Sequence, residues 1–233
     1  IEESLRSRLE DSEKVVVADA NSNSYKTLQR VLIAEKNIEY ALEISERGRA
    51  RSFVELLASR ITDNPRELTK PIKLDEIKQV AKQENATLVE YSNVYNEKLF
   101  IWVIQPTGKV AFRQIDLKSL QKQNASLNKL VEKSRKAIGV GGRTSIEIVP
   151  DSEQLHEQQF HYLQQLHQLL IEPIADLLPK DPNDRVVFIP QGELFLVPFP
   201  ALQDKDGNFL IEKHTILTAP SIQILGSTRK KAE

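Results

Sequence analysis

Hydrophobic positions in the first quarter of the chain recur at helical spacing. Leu28, Val31 and Leu32 follow an i, i+3, i+4 pattern, and a second apolar series covers positions 38–57. Such spacing places the apolar side chains on one face of an α-helix. Because a polar break at 36–37 separates the two series, the pattern predicts two helices paired as an antiparallel hairpin.

Proline residues end this helical region. They stand at positions 65 and 71, among polar residues, and the residue before a proline disfavours helical backbone. Residues 63–73 are therefore predicted to be a linker. It separates a hairpin domain at 1–62 from a second domain at 74–233.

The second domain begins with a predicted helix at Leu74–Gln83. Strand-like segments follow at Thr87–Tyr91 and Leu99–Ile104, and a third contains Val110 and Phe112. Since short turns join the three, we expect an antiparallel meander. The second strand is apolar throughout, which favours a central place in the sheet.

Further helices are predicted at Leu117–Ala137, at Ser152–Ile171 and, briefly, after Pro173. Glycines cluster at 139–142 between the first two helices. This loop lacks the Gly-Lys-Ser/Thr ending of a phosphate-binding loop, and no clear strand precedes it. We expect a connector there rather than a nucleotide site.

An unbroken apolar run at 186–189 organises the rest of the chain. Its β-branched residues predict a strand buried on both faces of a parallel sheet. Pro190 ends the run and Gly192 follows as a turn residue. Pro198 and Pro200 then prevent any regular ladder, because proline has no backbone N–H to donate. The segment is predicted to be a central strand that feeds a tight apolar corner.

The end of the chain is predicted to turn back and then become irregular. Asp-Gly at 206–207 is a hairpin signal, so 209–211 and 215–217 are expected in a returning extended segment. The small and charged residues at 226–233 are interpreted as a soft tail. Because the sequence begins at Ile1 and contains no methionine, we interpret it as a piece of a longer protein.

The apolar corner resembles the CHAT domain, a caspase-like module of the same broad clan as separase. The matching residues are Pro190, Gly192, Leu194, Pro198, Phe199, Ala201 and Leu202. The resemblance continues through Ile211–Ser221, and Ala41–Ala50 is similar to the last helical hairpin of the tetratricopeptide (TPR) repeats that precede CHAT domains, notably in cyanobacterial proteins. It implies a TPR-like hairpin followed by the pseudo-caspase half of an α/β fold, with a mixed β-sheet flanked by helices.

Composition narrows the possible functions. Lys and Arg number 32 against 33 Asp and Glu, a net charge of −1, so we expect no nucleic-acid partner. The absence of cysteine excludes disulfides, thiolate metal sites and a cysteine nucleophile within these residues. The longest apolar runs are far shorter than the roughly 20 residues that span a bilayer. With no secretion signal at the start, we expect a cytoplasmic protein with no membrane partner.

Histidine offers little sign of a catalytic or metal site. His156, His161 and His167 share one predicted helix, but no pair has the i, i+3 or i, i+4 spacing that lets two rings reach one ion. His214 could act as a base with Ser221 as nucleophile, but neither lies in an elbow motif. In the family that the chain resembles, the catalytic His precedes a Gly, and both it and the Cys lie downstream. We therefore predict no catalytic, cofactor-binding or metal-binding residue here.

Two other groups of residues could be functional or structural. The basic run at 47–51 is predicted to interrupt the second helix and could bind a phosphate or an acidic peptide. Solvated charges on one helix face are the favoured interpretation, with Gly48 permitting close helix contact. Trp102 and Tyr91 could form a ligand platform, but positions inside apolar strands favour a place in the core.

The resemblance implies a non-catalytic segment that supports a downstream protease half and couples the TPR repeats to it. With no thiol, this chain is expected to be no enzyme and to need no cofactor, although its parent is a possible cysteine peptidase. The alternative is a stand-alone scaffold module that binds a peptide or a partner domain. A third possibility, an independent hydrolase that uses serine and His214, is the least favoured.

Overall fold

The computed structural model describes the backbone of residues 11–61, 70–118, 120, 126–139 and 153–229, and the side chains in these ranges except at 11–22, 50–61, 137, 153–159 and 228–229. The chain divides into two compact units. The helical unit comprises Ile1–Val80 and Pro220–Glu233, and the sheet unit comprises Ala81–Ala219. The predicted linker at 63–73 falls mostly outside the described residues, so the predicted domain limits stay a prediction.

The helical unit contains the predicted hairpin. Its helices are α1 (Asp11–Ala34), α2 (Ile38–Ile61), the first part of α3 (Leu74–Glu84), and α7 (Ile222–Arg229). The chain turns between α1 and α2 at Lys36, whose φ of 62° lies in the left-handed region. The hairpin and the third helix are thus confirmed.

The predicted interruption at 47–51 is wrong, because α2 is continuous through these residues. Gly48 does permit close helix contact, as expected. A Cβ added at Gly48 would lie 3.1 Å from side-chain atoms of Tyr25 on α1. A glycine inside a helix costs about 1 kcal/mol relative to alanine. At this position the two helices approach so closely that a larger residue would be crowded against Tyr25.

The predicted soft tail is also wrong over the residues that the structure describes, since α7 includes Gly226. The Ser221 hydroxyl accepts a hydrogen bond from the Ile224 amide at 3.0 Å and so caps the first turn. Ile222 and Ile224 are buried, and their burial stabilises a helix that composition alone did not predict. Residues 230–233 lie outside the described residues.

The sheet unit contains a five-stranded mixed sheet. Its strands are β1 (Ala86–Val94), β2 (Lys98–Ile104), β3 (Val110–Asp116), β4 (Arg185–Ile189) and β5 (Thr215–Thr218). Their order is β3-β2-β1-β4-β5, antiparallel within the meander and parallel from β1 to β5. The meander and the parallel, buried β4 are confirmed. Strands β2 and β4, both predicted to be central, lie in the interior of the sheet on either side of β1, which is its middle strand.

The predicted return of the chain after position 207 is only partly correct. Gln203 and Phe209 form an antiparallel bridge across the turn. Beyond it, α6 (Leu210–Lys213) is a short helix, and β5 pairs parallel with β4. The side chain of Glu212 accepts a hydrogen bond from the Phe209 amide at 2.8 Å, which favours a helical turn where extended chain was predicted.

Two longer helices flank the sheet in the same unit: α4 (Leu127–Ala137) and α5 (Glu153–Leu170). The α5 prediction is confirmed, and a 3-10 turn at Glu172–Leu177 follows it. The predicted continuous helix from Leu117 is wrong, because Ser126 is extended, with φ −133°, and its hydroxyl caps α4 by accepting from the Lys129 amide. Helix on sheet confirms the α/β class predicted from the sequence.

Tyr91 and Trp102 belong to the core, as predicted, and both are fully buried. The Tyr91 hydroxyl donates to the Leu170 carbonyl at 2.8 Å, and burial raises its pKa well above the ordinary value. Trp102 packs against Phe112 with ring centroids 5.3 Å apart. Neither ring is available as a ligand platform.

Candidate functional site

The corner after β4 is held by its apolar residues. Gly192 has a φ of +57°, a conformation that side chains with a Cβ adopt only with strain. Leu194 and Leu202 are fully buried. The Phe199 ring stacks on Phe188 of β4, with centroids 4.3 Å apart and planes 9° apart. The corner therefore packs closely against β4, the strand that precedes it.

The other predicted signature residues complete this corner. Pro190 is buried, and Pro198 and Ala201 are half-buried. The Pro198 carbonyl accepts from the Ala201 amide at 2.9 Å, forming a second tight turn. All seven residues thus belong to one apolar corner built from two turns, and their role as a shared family signature stays a prediction.

A polar cluster lies at the carboxyl ends of the parallel strands β1 and β4. Gln191 Oε1 accepts from the Asn93 amide at 3.1 Å and from the Ser92 hydroxyl at 3.3 Å. Asn93 Nδ2 donates to Glu193 Oε1 and to Asn96 Oδ1, both at 2.6 Å. Carboxyl ends of parallel strands are common ligand positions. Sequence reasoning missed this cluster because Asn93 and Glu193 are 100 positions apart.

The histidines are not brought together around a metal. His161 hydrogen-bonds Gln165 at 2.8 Å. For His167, burial lowers the pKa, opposed by the negative charge of Asp204. The side chain of His156 lies outside the described residues. Across the part of the chain that the structure describes, no group of three or more His, Cys, Asp or Glu side chains could hold a metal ion.

His214 and Ser221 show no sign of acting as a catalytic pair. His214 is half-buried, and burial, then the positive charge of Lys213, lowers its pKa. Its Nδ1 atom is buried and has no hydrogen-bond partner among the described residues. Ser221 is fully buried and its hydroxyl caps α7, so a substrate has no access to it.

Asp204 organises the turn before α6. Its carboxylate accepts from the backbone amides of Asp206 and Asn208, both at 2.9 Å, and pairs with the Lys213 ammonium. Burial alone would raise the pKa of Asp204, but the hydrogen bonds from Lys213, Asn208 and Asp206 outweigh it and hold the pKa far below the ordinary value. The group is a structural anchor and not a proton donor.

Glu46 on α2 forms a deeply buried charged contact of the helical unit. Its side chain is 0% exposed, and Oε2 accepts from the Gln223 backbone amide at 3.1 Å. Oε1 lies 3.7 Å from Arg49 Nε, whose side chain is 4% exposed. A carboxylate at the start of α7 satisfies an orphan amide and complements the helix dipole. We call the contact of Glu46 and its helix with Gln223 the α2–α7 junction.

Glu43, a neighbouring carboxylate on α2, binds the first turn of α3 in the same way. Glu43 Oε1 accepts from the Leu74 amide at 2.8 Å, at the start of α3, and Oε2 pairs with Lys73 at 3.3 Å. The side chain of Gln223 also donates to the Lys70 carbonyl at 2.8 Å. Acidic side chains of α2 therefore hold the first turns of two other helices.

These contacts correct the prediction of solvated charges at 47–51: Arg49 is buried, because Glu46 offers it a counter-charge one helical turn earlier, and Arg47 is half-buried. The side chain of Arg51 lies outside the described residues. A sequence signal for this was present. Glu46 lies four positions after the buried Leu42, and therefore on the apolar face of α2.

The chain is similar to one family model over its C-terminal part and to curated relatives over most of its length. A family model described as the CHAT domain matches residues 161–233. Over 307 aligned residues the chain is 23% identical to Tetratricopeptide repeat protein 28 of Homo sapiens and, equally, to that of Mus musculus. The alignments cover 93% of this chain.

The chain spans only 12% of the length of these curated relatives. Among the described residues, no helix has the length and apolar character needed to cross a membrane. The CHAT match contains residues 190–202, which we call the signature corner, and α7. The relatives carry the name of the TPR repeat. These matches confirm the resemblance to TPR-associated CHAT domain proteins that the sequence predicted.

Proposed function

We propose that this chain is a non-catalytic N-terminal segment of a CHAT peptidase-family protein. In this proposal the segment supports a downstream protease half and couples TPR repeats to it. The α2–α7 junction is the observation that carries the proposal. Helix α7 lies within the CHAT match, and its first turn is bound by Glu46 of the TPR-like helix α2.

The burial of this contact makes it suited to mechanical coupling. Separating α7 from α2 would leave the Glu46 carboxylate without the Gln223 amide in a site that is 0% exposed. Losing a buried hydrogen bond to a charged group typically costs about 1.5–3 kcal/mol. A displacement of α2 is therefore expected to carry α7 with it. Because β5 ends at Thr218 and α7 begins at Ile222, the movement would reach the sheet through three intervening residues.

The proposed lack of catalysis follows from the residues that peptidases of this family use. The 233 residues contain no cysteine, and Ser221 is buried as a helix cap. Peptide mapping of the native protein from its source cells tests the assignment. We expect peptides that continue past Glu233 into a half bearing Cys and His. A native protein that ends near Glu233 would exclude a downstream protease half.

The coupling role requires a separate test in the protein that contains both halves. Cleavage of a proteome-derived peptide library would be compared for wild type, Glu46→Ala and Glu39→Gln. Glu39 is also on α2, but its ion pair with Lys78 is solvent-exposed. We expect Glu46→Ala to reduce cleavage at least about tenfold, the effect of about 1.4 kcal/mol, and Glu39→Gln to retain it. Equal cleavage by all three proteins would contradict coupling through the junction.

A stand-alone protein-interaction module remains the second candidate. Phe195 and Leu196, in the signature corner, are 40% and 51% exposed, and exposed apolar side chains of this size are common at interaction sites. A defined partner that binds this chain without any downstream half would favour this function over the first. The predicted cytoplasmic location stays a prediction under either proposal.

A further inference from the structure

A surface cavity lies in the sheet unit between α4 and the signature corner. Its volume is about 400 Å³, within the range of sites that hold small ligands or short peptide segments. Val131 on α4 and Leu196 on the corner give it apolar walls. Leu196 is 51% exposed, whereas Val131 is buried. An aliphatic side chain bound in the cavity would cover part of the exposed surface of Leu196.

Most of the charged groups around this cavity already have partners. The Lys136 ammonium lies 2.7 Å from Glu132 Oε1, one helical turn away, and this hydrogen bond lowers the pKa of Glu132. Glu193 Oε1 accepts from the Asn93 side chain at 2.6 Å. The two carboxylates and the lysine are therefore each engaged within the protein.

Arg135 differs from these groups. It lines the same cavity, and its guanidinium has no hydrogen-bond or ion-pair partner among the described residues. It is not used to cap α4 either, because the backbone amides of Ile138 and Gly139 donate to the last carbonyls of the helix. A half-buried guanidinium beside an apolar wall is a ready partner for a carboxylate, which it can bind with two parallel hydrogen bonds.

We propose that this cavity binds a peptide segment of a partner protein in which a carboxylate side chain stands beside an aliphatic side chain. Arg135 binds the carboxylate, and Val131 and Leu196 contact the aliphatic group. The site is independent of the α2–α7 junction, so its failure would leave the proposed coupling untouched.

Two matched peptides test the proposal by titration into the ¹⁵N-labelled chain. Acetyl-Leu-Asp-Leu-amide carries the carboxylate, and acetyl-Leu-Asn-Leu-amide has the same shape without the charge. We expect shift changes confined to amides of α4 and Gly192–Leu196 and up to about fivefold tighter binding of the Asp peptide, as for a solvent-accessible ion pair. Arg135→Gln should erase this difference. Lys129→Gln, an exposed cation on the same helix that does not line the cavity, should keep it.

Three outcomes would overturn the proposal: equal affinity for the two peptides, no shift changes at millimolar peptide, or an Asp preference that persists in Arg135→Gln. Arg135→Lys guards against a merely structural effect, since it retains the positive charge and should keep part of the preference. The spectrum of each variant without peptide verifies that it is folded.

Discussion

Replacing Glu46 with alanine is expected to destabilise the protein strongly. The substitution removes the acceptor of the Gln223 amide and the carboxylate that lies 3.7 Å from Arg49 Nε. Both atoms are in a site where Glu46 is 0% exposed, so water cannot replace the lost partner. Loss of one member of a buried charged pair costs about 3–5 kcal/mol.

The magnitude can be converted into a shift of a denaturation midpoint. Taking about 3 kcal/mol and a urea m-value of about 3 kcal/mol per molar, we expect the midpoint to fall by about 1 M. Such a loss is a large part of the roughly 5–15 kcal/mol that stabilises a typical domain. Glu46→Gln preserves volume and one acceptor oxygen, and it should therefore lose less than Glu46→Ala.

Urea unfolding followed by circular dichroism at the helical band measures the change. Glu39→Gln is the matched control, since Glu39 is 54% exposed and pairs with Lys78 at the surface. Exposed pairs contribute about 0–1 kcal/mol, so its midpoint should move by no more than about 0.3 M. If Glu46→Ala moved the midpoint no further than Glu39→Gln does, the energetic argument for the junction would be wrong.

Three further substitutions test other parts of the fold, each by chemical or thermal unfolding. Tyr91→Phe removes the buried hydrogen bond to the Leu170 carbonyl and should cost about 1–3 kcal/mol, because the acceptor is left unsatisfied. Gly226→Ala would bring a Cβ within 2.6 Å of a Val80 methyl group; the overpacking, about 1–3 kcal/mol, should exceed the gain of about 1 kcal/mol in helix propensity. In the wild type, hydrogen bonds hold the pKa of Asp204 below its ordinary value of about 3.9. The stability that they give is therefore lost as the pH falls from about 3.9 towards the pKa of the folded protein. Asp204→Asn should show a smaller loss of stability below about pH 4, because it has no carboxylate to protonate.

Each of these expectations can fail in a distinct way. A Tyr91→Phe protein as stable as wild type would mean that water or another donor reaches the Leu170 carbonyl. A stabilised Gly226→Ala protein would mean that α7 and Val80 are packed less closely than the structure has them. If wild type and Asp204→Asn lost stability in parallel between pH 5 and pH 2, Asp204 would not be the anchor of its turn.

Sequence patterns predicted the elements whose structure is determined by residues close together in the chain. The run at β4 was recognised as a buried parallel strand because its β-branched residues leave no polar face. The hairpin helices followed from their apolar periodicity. Ser126 shows the limit of local patterns. Its hydroxyl caps α4, but a single serine within an apolar helical pattern is not enough to predict that one helix ends and another begins.

Long-range partners explain what sequence reasoning missed. Glu46 stands in a charged run that is typical of solvent, and its partner Gln223 is 177 positions away. The same holds for α7, whose apolar residues are too few to predict a helix without the surface that buries them. After the hairpin signal at 206–207, residues 209–211 were expected to be extended, but the buried Leu210 and the Glu212 side chain stabilise the helical turn α6 there.

Hydrogen–deuterium exchange of wild type, Glu46→Ala and Glu39→Gln, followed by peptide mass spectrometry, would test whether the α2–α7 junction couples helix α2 to the residues that the CHAT family model matches. Coupling predicts faster exchange in Glu46→Ala not only in α7 but also in β4 and β5, with Glu39→Gln unchanged from wild type. Faster exchange confined to α2, α3 and α7, with β4 and β5 protected as in wild type, would contradict it.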